Sequence, residues 1–94
     1  MGRLKMLTDR AGKALANEKK YSFIVELPVG ADGLDVELNS HIVSFHRSRR
    51  MTPQYGRTIW RNAQLYYRFC FSDLVTARAF VEQFGGAFYK TTDG

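Results

Sequence analysis

The chain has 94 residues, of which 45% are hydrophobic and 14% aromatic. This composition supplies enough apolar surface for one packed domain and argues against disorder. No apolar run approaches the roughly 20 residues that cross a bilayer, and charged side chains interrupt the first residues, so we expect neither a membrane span nor a secretory leader. Cys70 is the only cysteine, which excludes an internal disulfide and a thiolate cluster for zinc and favours a cytoplasmic location.

The net charge of +5 is distributed unevenly along the chain. Residues 1–20 contain six basic and two acidic side chains, and residues 21–45 contain four acidic and no basic ones. Residues 46–68 contain six arginines and no acid. A domain with separate acidic and basic segments favours oriented association with a partner.

The first twenty residues form a basic segment with apolar side chains at helical spacing. These are Leu4, Leu7, Ala11, Ala14 and Leu15. Gly12 weakens the pattern, so the segment is either an ordered helix or a mobile arm. We expect this N-terminal segment, residues 1–20, to precede a single domain that spans residues 21–94.

Residues 21–28 alternate between apolar and polar side chains, which predicts a strand that Pro28 ends. From Asp32 or Gly33 onward, the apolar side chains fall in a narrow arc of a helical wheel, which favours a helix that ends in basic residues. An alternative is a hairpin over residues 34–47 that turns at Asn39 and Ser40, and we favour the helix.

The second half of the chain predicts two strands, a helix and a closing strand. Residues 55–60 form a candidate strand that turns at Arg61 and Asn62, and residues 64–71 form the clearest strand of the chain. Ser72 is a candidate N-cap for the next helix, which Gly85 and Gly86 end. Residues 87–91 then form a short strand.

The predicted order is β-α-β-β-α-β after the N-terminal arm or helix. This order indicates a ferredoxin-like α+β domain: a two-layer sandwich in which both helices cover one face of a four-stranded antiparallel sheet. The first and third strands are central neighbours in this arrangement.

The alternation in these two strands assigns a candidate partner-binding face. Odd-numbered side chains of residues 64–71 point to the core, and even-numbered ones point to the face without predicted helices. The candidate residues on this face are Ile24, Glu26, Tyr66 and Arg68. Glu26 and Arg68 are expected to pair across the strands, and Ile24, Tyr66 and Cys70 add apolar area that a monomer gains little from exposing.

The segments FIVEL (23–27) and YYRFCF (66–71) lie where RNA-recognition motifs carry their first-strand and third-strand motifs, and residues 21–91 resemble that family in strand order. The family stacks bases on aromatic side chains of the uncovered sheet face. Here Phe23 and Phe69 belong to the core-facing sets, the third-strand glycine is absent, and Glu26 stands in place of the usual asparagine. We interpret the resemblance as one of fold rather than of function.

A second candidate surface is the basic and aromatic segment 47–68. Its residues are Arg47, Arg49, Arg50, Tyr55, Arg57, Trp60 and Arg61. Arginines neutralise phosphates and aromatic rings stack on bases, so this segment predicts possible nucleic-acid binding.

No pattern indicates an enzyme or a cofactor. His41 and His46 are five residues apart, so on a helix they point in different directions; we expect no metal site and partly exposed imidazoles. Cys70 is expected to be a buried or half-buried structural thiol. The sequence therefore predicts no catalytic residue, cofactor or membrane partner. We expect a non-enzymatic module for protein–protein interaction or self-association, with nucleic-acid binding as the alternative.

Overall fold

The structure, a computed structural model, describes residues 12–91. This part of the chain is an α+β domain with three helices and a five-stranded antiparallel sheet. In chain order the elements are α1 (12–20), β1 (Phe23–Val29), α2 (Val36–Ser48), β2 (Gln54–Tyr55), β3 (Ile59–Arg61), β4 (Gln64–Phe71), α3 (Leu74–Phe84) and β5 (Ala87–Thr91). None of the described helices is long and apolar enough to span a bilayer.

The sheet has the order β2-β4-β1-β5, and β3 also pairs with β4 beside β2. The predicted central position of the first and third strands is confirmed, because β1 and β4 pair along their length with Glu26 opposite Arg68. The predicted single strand over residues 55–60 is wrong. Residues 56–58 leave the ladder between β2 and β3, although the backbone N–H of Gly56 still donates to the carbonyl of Arg68.

The helix predicted from the 34–47 pattern is confirmed as α2, which rules out the hairpin alternative. It begins later than predicted, because Gly30 and Gly33 form an isolated bridge that holds the preceding turn. The carboxylate of Asp35 accepts a hydrogen bond from the backbone N–H of Leu38 and caps the helix.

The predicted α3 and β5 are confirmed, with a different cap. Asp73, rather than Ser72, accepts the backbone N–H of Thr76 at 2.8 Å. Gly85 and Gly86 both have positive φ and redirect the chain into β5, as glycine permits without a Cβ clash.

The hydrophobic core lies between the sheet and the pair α2 and α3. The odd-numbered side chains of β1 and β4 face this layer, as predicted. Its buried members are Val25, Leu27, Val29, Ile42, Phe45, Leu65, Phe69, Phe71, Ala77 and Phe80.

Helix α1 lies on the opposite side of the sheet, where the sequence predicted an uncovered face. Its Glu18 contacts Arg68, an even-numbered residue of β4, and Asn17 donates to the carbonyl of Tyr55 in β2. The basic N-terminal segment is thus helical over residues 12–20, and its earlier part lies outside the described residues.

Candidate functional site

The predicted direction of the β4 side chains is confirmed, but the expectation that the even-numbered face is exposed is wrong. Ile24 is 0% exposed, Cys70 2%, Arg68 5% and Glu26 8%. Of the four candidate partner residues, Tyr66 alone is more than marginally accessible. This face is buried because α1 and a group of charged side chains cover it.

The carboxylate of Glu18 is the central group of this cover. Its two oxygens accept four hydrogen bonds: from the backbone N–H of Arg57 at 2.6 Å, from the Arg57 side chain at 3.2 and 2.9 Å, and from Nη1 of Arg68 at 2.9 Å. The backbone carbonyl of Glu18 also accepts Nζ of Lys90 at 2.9 Å. The gap between β2 and β3 makes this possible, because it directs the Arg57 backbone N–H away from the sheet ladder. We call this group of donors from Arg57 and Arg68 the carboxylate receptor.

Gly56 forms the floor of the carboxylate receptor. A Cβ at this position would lie 2.8 Å from both Cγ and Oε2 of Glu18 and 3.1 Å from Cβ of Arg68. Distances this short would require Glu18 or Arg68 to shift, so glycine lets the α1 carboxylate approach the backbone of the gap.

A second carboxylate extends the network across the sheet. Glu26 binds Nε of Arg68 at 3.0 Å and Nη2 of Arg61 at 2.8 Å, so the expected pair between Glu26 and Arg68 is present and buried. The side chain of Arg68 therefore bridges Glu18 and Glu26. Charged groups with such low exposure are stable only when they are paired and hydrogen-bonded, as both carboxylates are here.

The surroundings alter the pKa values of these groups. Burial raises the pKa of Glu18, but the hydrogen bonds from Arg57 and the charge of Arg68 outweigh it and hold the value below the ordinary range. The hydrogen bond from Arg61 lowers the pKa of Glu26. Burial raises the pKa of Cys70 to about 11, and the neighbouring Glu18 contributes to the increase. Cys70 is therefore a protonated, buried thiol.

Two tyrosines lie against the arginines of this network. The guanidinium carbon of Arg68 lies 3.6 Å from the centre of the Tyr89 ring, and that of Arg61 lies 4.4 Å from the Tyr66 ring. Tyr89 is 49% exposed. Together with Arg57 and Arg61, which are each about half exposed, these rings form the accessible rim of the covered face.

The structure separates the seven residues of the basic and aromatic segment into two groups. Arg57 and Arg61 lie on the α1 side of the sheet, where they pair with Glu18 and Glu26. The remaining members are all exposed: Arg47, Arg49, Arg50, Tyr55 and Trp60. Tyr55 and Trp60 lie on the side of α2 and α3, opposite Phe69 and Leu65 of β4.

Two shallow grooves meet at residues 52–53 and form one continuous surface. The first has a volume of about 320 Å³ and is lined by Arg47 and Arg50, and the second has a volume of about 370 Å³ and is lined by Lys13 and Tyr55. Thr52 and Pro53 line both. We call this surface the basic groove. Within residues 12–91 its three cations form no salt bridge.

His46 is buried, contrary to the expectation that both histidines are partly exposed. Its Nδ1 lies 2.9 Å from the carbonyl oxygen of Ile42, so Nδ1 carries the proton, and Nε2 has no hydrogen-bond partner among the described residues. The ring stacks on Phe71. Burial lowers the pKa of His46, and the charge of Arg49 lowers it further, although the bond to Ile42 acts in the opposite direction.

Sequence reasoning missed the roles of Glu18, Gly56 and Lys13. One feature of the sequence indicated that this sheet face is covered. Ile24 and Cys70 are apolar residues at paired positions on a face predicted to be exposed. The partner of Arg57 and Arg68 could not be identified in this way, because Glu18 lies 39 and 50 positions away from them in the chain.

Among the described residues, no group of three or more histidine, cysteine, aspartate or glutamate side chains is placed to hold a metal ion. The chain matches no protein-family profile, no curated protein sequence and no solved structure.

Proposed function

We propose that this domain is a non-enzymatic binding module that binds single-stranded nucleic acid through the basic groove. The observation that carries the proposal is the position of Lys13, Arg47 and Arg50 on one continuous surface without an acidic partner among the described residues. Unpaired cations on a shallow surface suit a flexible polyanion, because each phosphate contact releases bound counterions.

The aromatic residues favour a single strand over a duplex. Tyr55 is 39% exposed, and its ring packs on Phe69 with the centroids 5.2 Å apart, which fixes its position. Trp60 is 60% exposed and lies on the same side of the same sheet edge. Their partners on β4 are four residues apart, which corresponds to about 13 Å along the strand. Unstacked bases can pack on such rings, whereas the bases of a duplex are already stacked.

The test is the binding of fluorescent single-stranded and double-stranded oligonucleotides, measured by anisotropy at low salt. We expect the single strand to bind more tightly and Arg47→Glu with Arg50→Glu to weaken binding at least tenfold. The matched control is Lys19→Glu with Arg78→Glu, which makes the same charge change at two exposed sites outside the groove. Equal weakening by both double variants, or no binding at low salt, would refute the proposal.

Protein–protein interaction through the covered face is the second candidate, and self-association is one form of it. It is supported by the accessible rim, where Tyr66 and Tyr89 lie against Arg61 and Arg68. Tyrosine and arginine are enriched in interface hot spots. Light scattering after size exclusion tests self-association: a dimer that Tyr89→Ala dissociates supports it, and a monomer at high concentration contradicts it.

We also infer that the fold is a variant of the ferredoxin-like arrangement. The order β2-β4-β1-β5 is what a β-α-β-β-α-β chain gives when its second strand is divided into β2 and β3. Helix α1 is the addition to that pattern. The fold alone does not imply either binding function.

A further inference from the structure

The carboxylate receptor has the composition of a binding site rather than of a simple ion pair. Four N–H donors converge on one carboxylate, and one of them is a backbone group in the gap between β2 and β3. The side chain of Arg68 is 5% exposed and is held in place by Glu26 and by the Tyr89 ring. The guanidinium of Arg68 is therefore positioned by groups that do not belong to α1.

The attachment of α1 depends mainly on this receptor. Of residues 12–20, only Glu18 is buried, and Leu15, the one large apolar side chain among them, is 39% exposed. The other hydrogen bonds of α1 to the rest of the domain are those of Asn17 with the Tyr55 carbonyl and of Lys90 with the Glu18 carbonyl. A nine-residue helix has little stability of its own in water, so the loss of one carboxylate contact would free it.

We propose that the carboxylate receptor is a binding site for an acidic side chain of a partner protein, and that Glu18 of α1 occupies this site within the same chain. Detachment of α1 uncovers Ile24 and Cys70 on the sheet face and frees the donors of Arg57 and Arg68.

The charges around the site select an acidic partner segment. When Glu18 leaves, Arg57, Arg61, Arg68 and Lys90 remain on this face with Glu26 as the single carboxylate in the network. Planar guanidinium groups bind a carboxylate through two parallel hydrogen bonds, as Arg57 does with Glu18. This site lies on the opposite side of the sheet from Tyr55 and Trp60, so the inference does not depend on nucleic-acid binding.

Cys70 provides a measure of detachment, because it is the only cysteine, is 2% exposed and lies on the same face of the sheet as Arg68, which binds Glu18. The labelling rate of its thiol with a chromogenic disulfide reagent is measured in the wild type at increasing urea concentrations below the unfolding transition. We expect the detachment of α1 to require less free energy than global unfolding. The free energy of detachment should also depend less on urea concentration, because only α1 moves. If Cys70 reacts only through global unfolding, α1 is a fixed part of the fold and the proposal is wrong.

A pair of charge-neutral variants tests the role of the carboxylate. Glu18→Gln is expected to label at least tenfold faster than the wild type, whereas Glu37→Gln, at an 87% exposed side chain on α2, is expected to label at the wild-type rate. Equal rates for the two variants would overturn the proposal. The wild-type urea series remains decisive if Glu18→Gln does not fold.

A peptide tests whether the receptor accepts a carboxylate from another molecule. A synthetic peptide of residues 8–22 is added at millimolar concentration to the Glu18→Gln variant, since an untethered helix lacks the high effective concentration of α1. We expect it to slow Cys70 labelling severalfold, and the same peptide with glutamine at position 18 to have no effect. If both peptides or neither peptide slows labelling, the receptor does not select an acidic segment. Detachment of α1 would also remove Lys13 from the basic groove, so oligonucleotide binding is measured separately through Arg47 and Arg50, and the two proposals fail by different results.

Discussion

His46 is the residue whose structural environment departs most from what its sequence position suggested. Its imidazole lies in an aromatic cluster with edge contacts to Phe45 and Phe80 and a stacked contact to Phe71. The charged group that acts on it is Arg49, a cation, so no opposite charge from the described residues compensates for protonation. The neutral ring is compatible with this cluster and the imidazolium is not.

We therefore predict that the domain loses stability as the pH falls below about 6.5, the pKa of an unperturbed histidine. The lowered pKa in the folded state means that the unfolded chain binds the proton first, so acid favours unfolding until the pH also passes the folded pKa. Urea unfolding at pH 7.5, 6.5 and 5.5 measures this. In the His46→Leu variant, the free energy of unfolding should no longer decrease between these pH values.

The matched control for this prediction is His41→Leu. His41 is on the same helix but is exposed, and its only partner among the described residues is Glu37 at 3.8 Å. This variant should keep the wild-type pH dependence. If His46→Leu and the wild type lose stability in parallel between pH 7.5 and 5.5, the buried imidazole is not the cause. The carboxylates with lowered pKa values act only below pH 4.5, outside this window.

At the scale of the elements, the junction between α3 and β5 depends on two glycines with different surroundings. A Cβ on Gly85 would meet open space, whereas a Cβ on Gly86 would lie 2.5 Å from the carbonyl oxygen of Glu26 in β1. Both residues have φ near +90°, a conformation that other residues adopt only with strain.

We predict that Gly86→Ala destabilises the domain more than Gly85→Ala does. The conformational strain common to both variants is about 1–3 kcal/mol. The Gly86 variant must in addition move β5 away from β1, which weakens the pairing that closes the sheet. Guanidinium unfolding of the two variants measures the difference, and equal losses would contradict the proposed contact with β1.

The ion-pair network connects α1, the edge of the sheet and the two central strands through Arg68. We predict that Arg68→Met lowers the free energy of unfolding by about 3–5 kcal/mol, because Glu26 then keeps only the half-exposed Arg61 and Glu18 keeps only Arg57. Arg61→Met is the control: its side chain is about half exposed, and Glu26 keeps Arg68, so the loss should be clearly smaller. Similar losses would mean that Arg68 is not the residue that connects the network.

In the molecule as a whole, the cations on the two sides of the sheet differ in whether an acidic side chain pairs with them. On the α1 side, Arg57, Arg61 and Arg68 all form ion pairs with two glutamates from distant parts of the chain. In the basic groove, Arg47 and Arg50 keep an uncompensated charge within the described residues. Among the described residues, the basic groove is thus a surface whose cations have no acidic partner.

The proposed nucleic-acid binding should accordingly weaken steeply as salt is added. Three phosphate contacts, by Lys13, Arg47 and Arg50, predict a slope of about −2 for the logarithm of the association constant against the logarithm of salt concentration on a single strand. Arg78→Gln should leave this slope unchanged, because Arg78 is exposed and lies outside the basic groove. A slope near zero would exclude phosphate binding as the origin of any affinity observed.

Local sequence patterns were sufficient to predict α2, α3 and the faces of β1 and β4 that pack against them. The alternation of Leu65, Phe69 and Phe71 assigned the core side of β4, and the helical spacing of Ile42 and Phe45 assigned the buried side of α2, because local periodicity and burial follow the same geometry. The pairing of Glu26 with Arg68 followed from the strand order.

The helix that covers the other side of the sheet, and the arginines that remain without an acidic partner among the described residues, depend on long-range contacts. Glu18 reaches Arg57 and Arg68 across 39 and 50 positions, through a gap in an edge strand that residue patterns do not reveal. Long-range ion pairs leave no periodic signal in the sequence, since they depend on where separate elements meet. For the same reason, seven basic and aromatic residues that are close in sequence lie on opposite sides of the sheet.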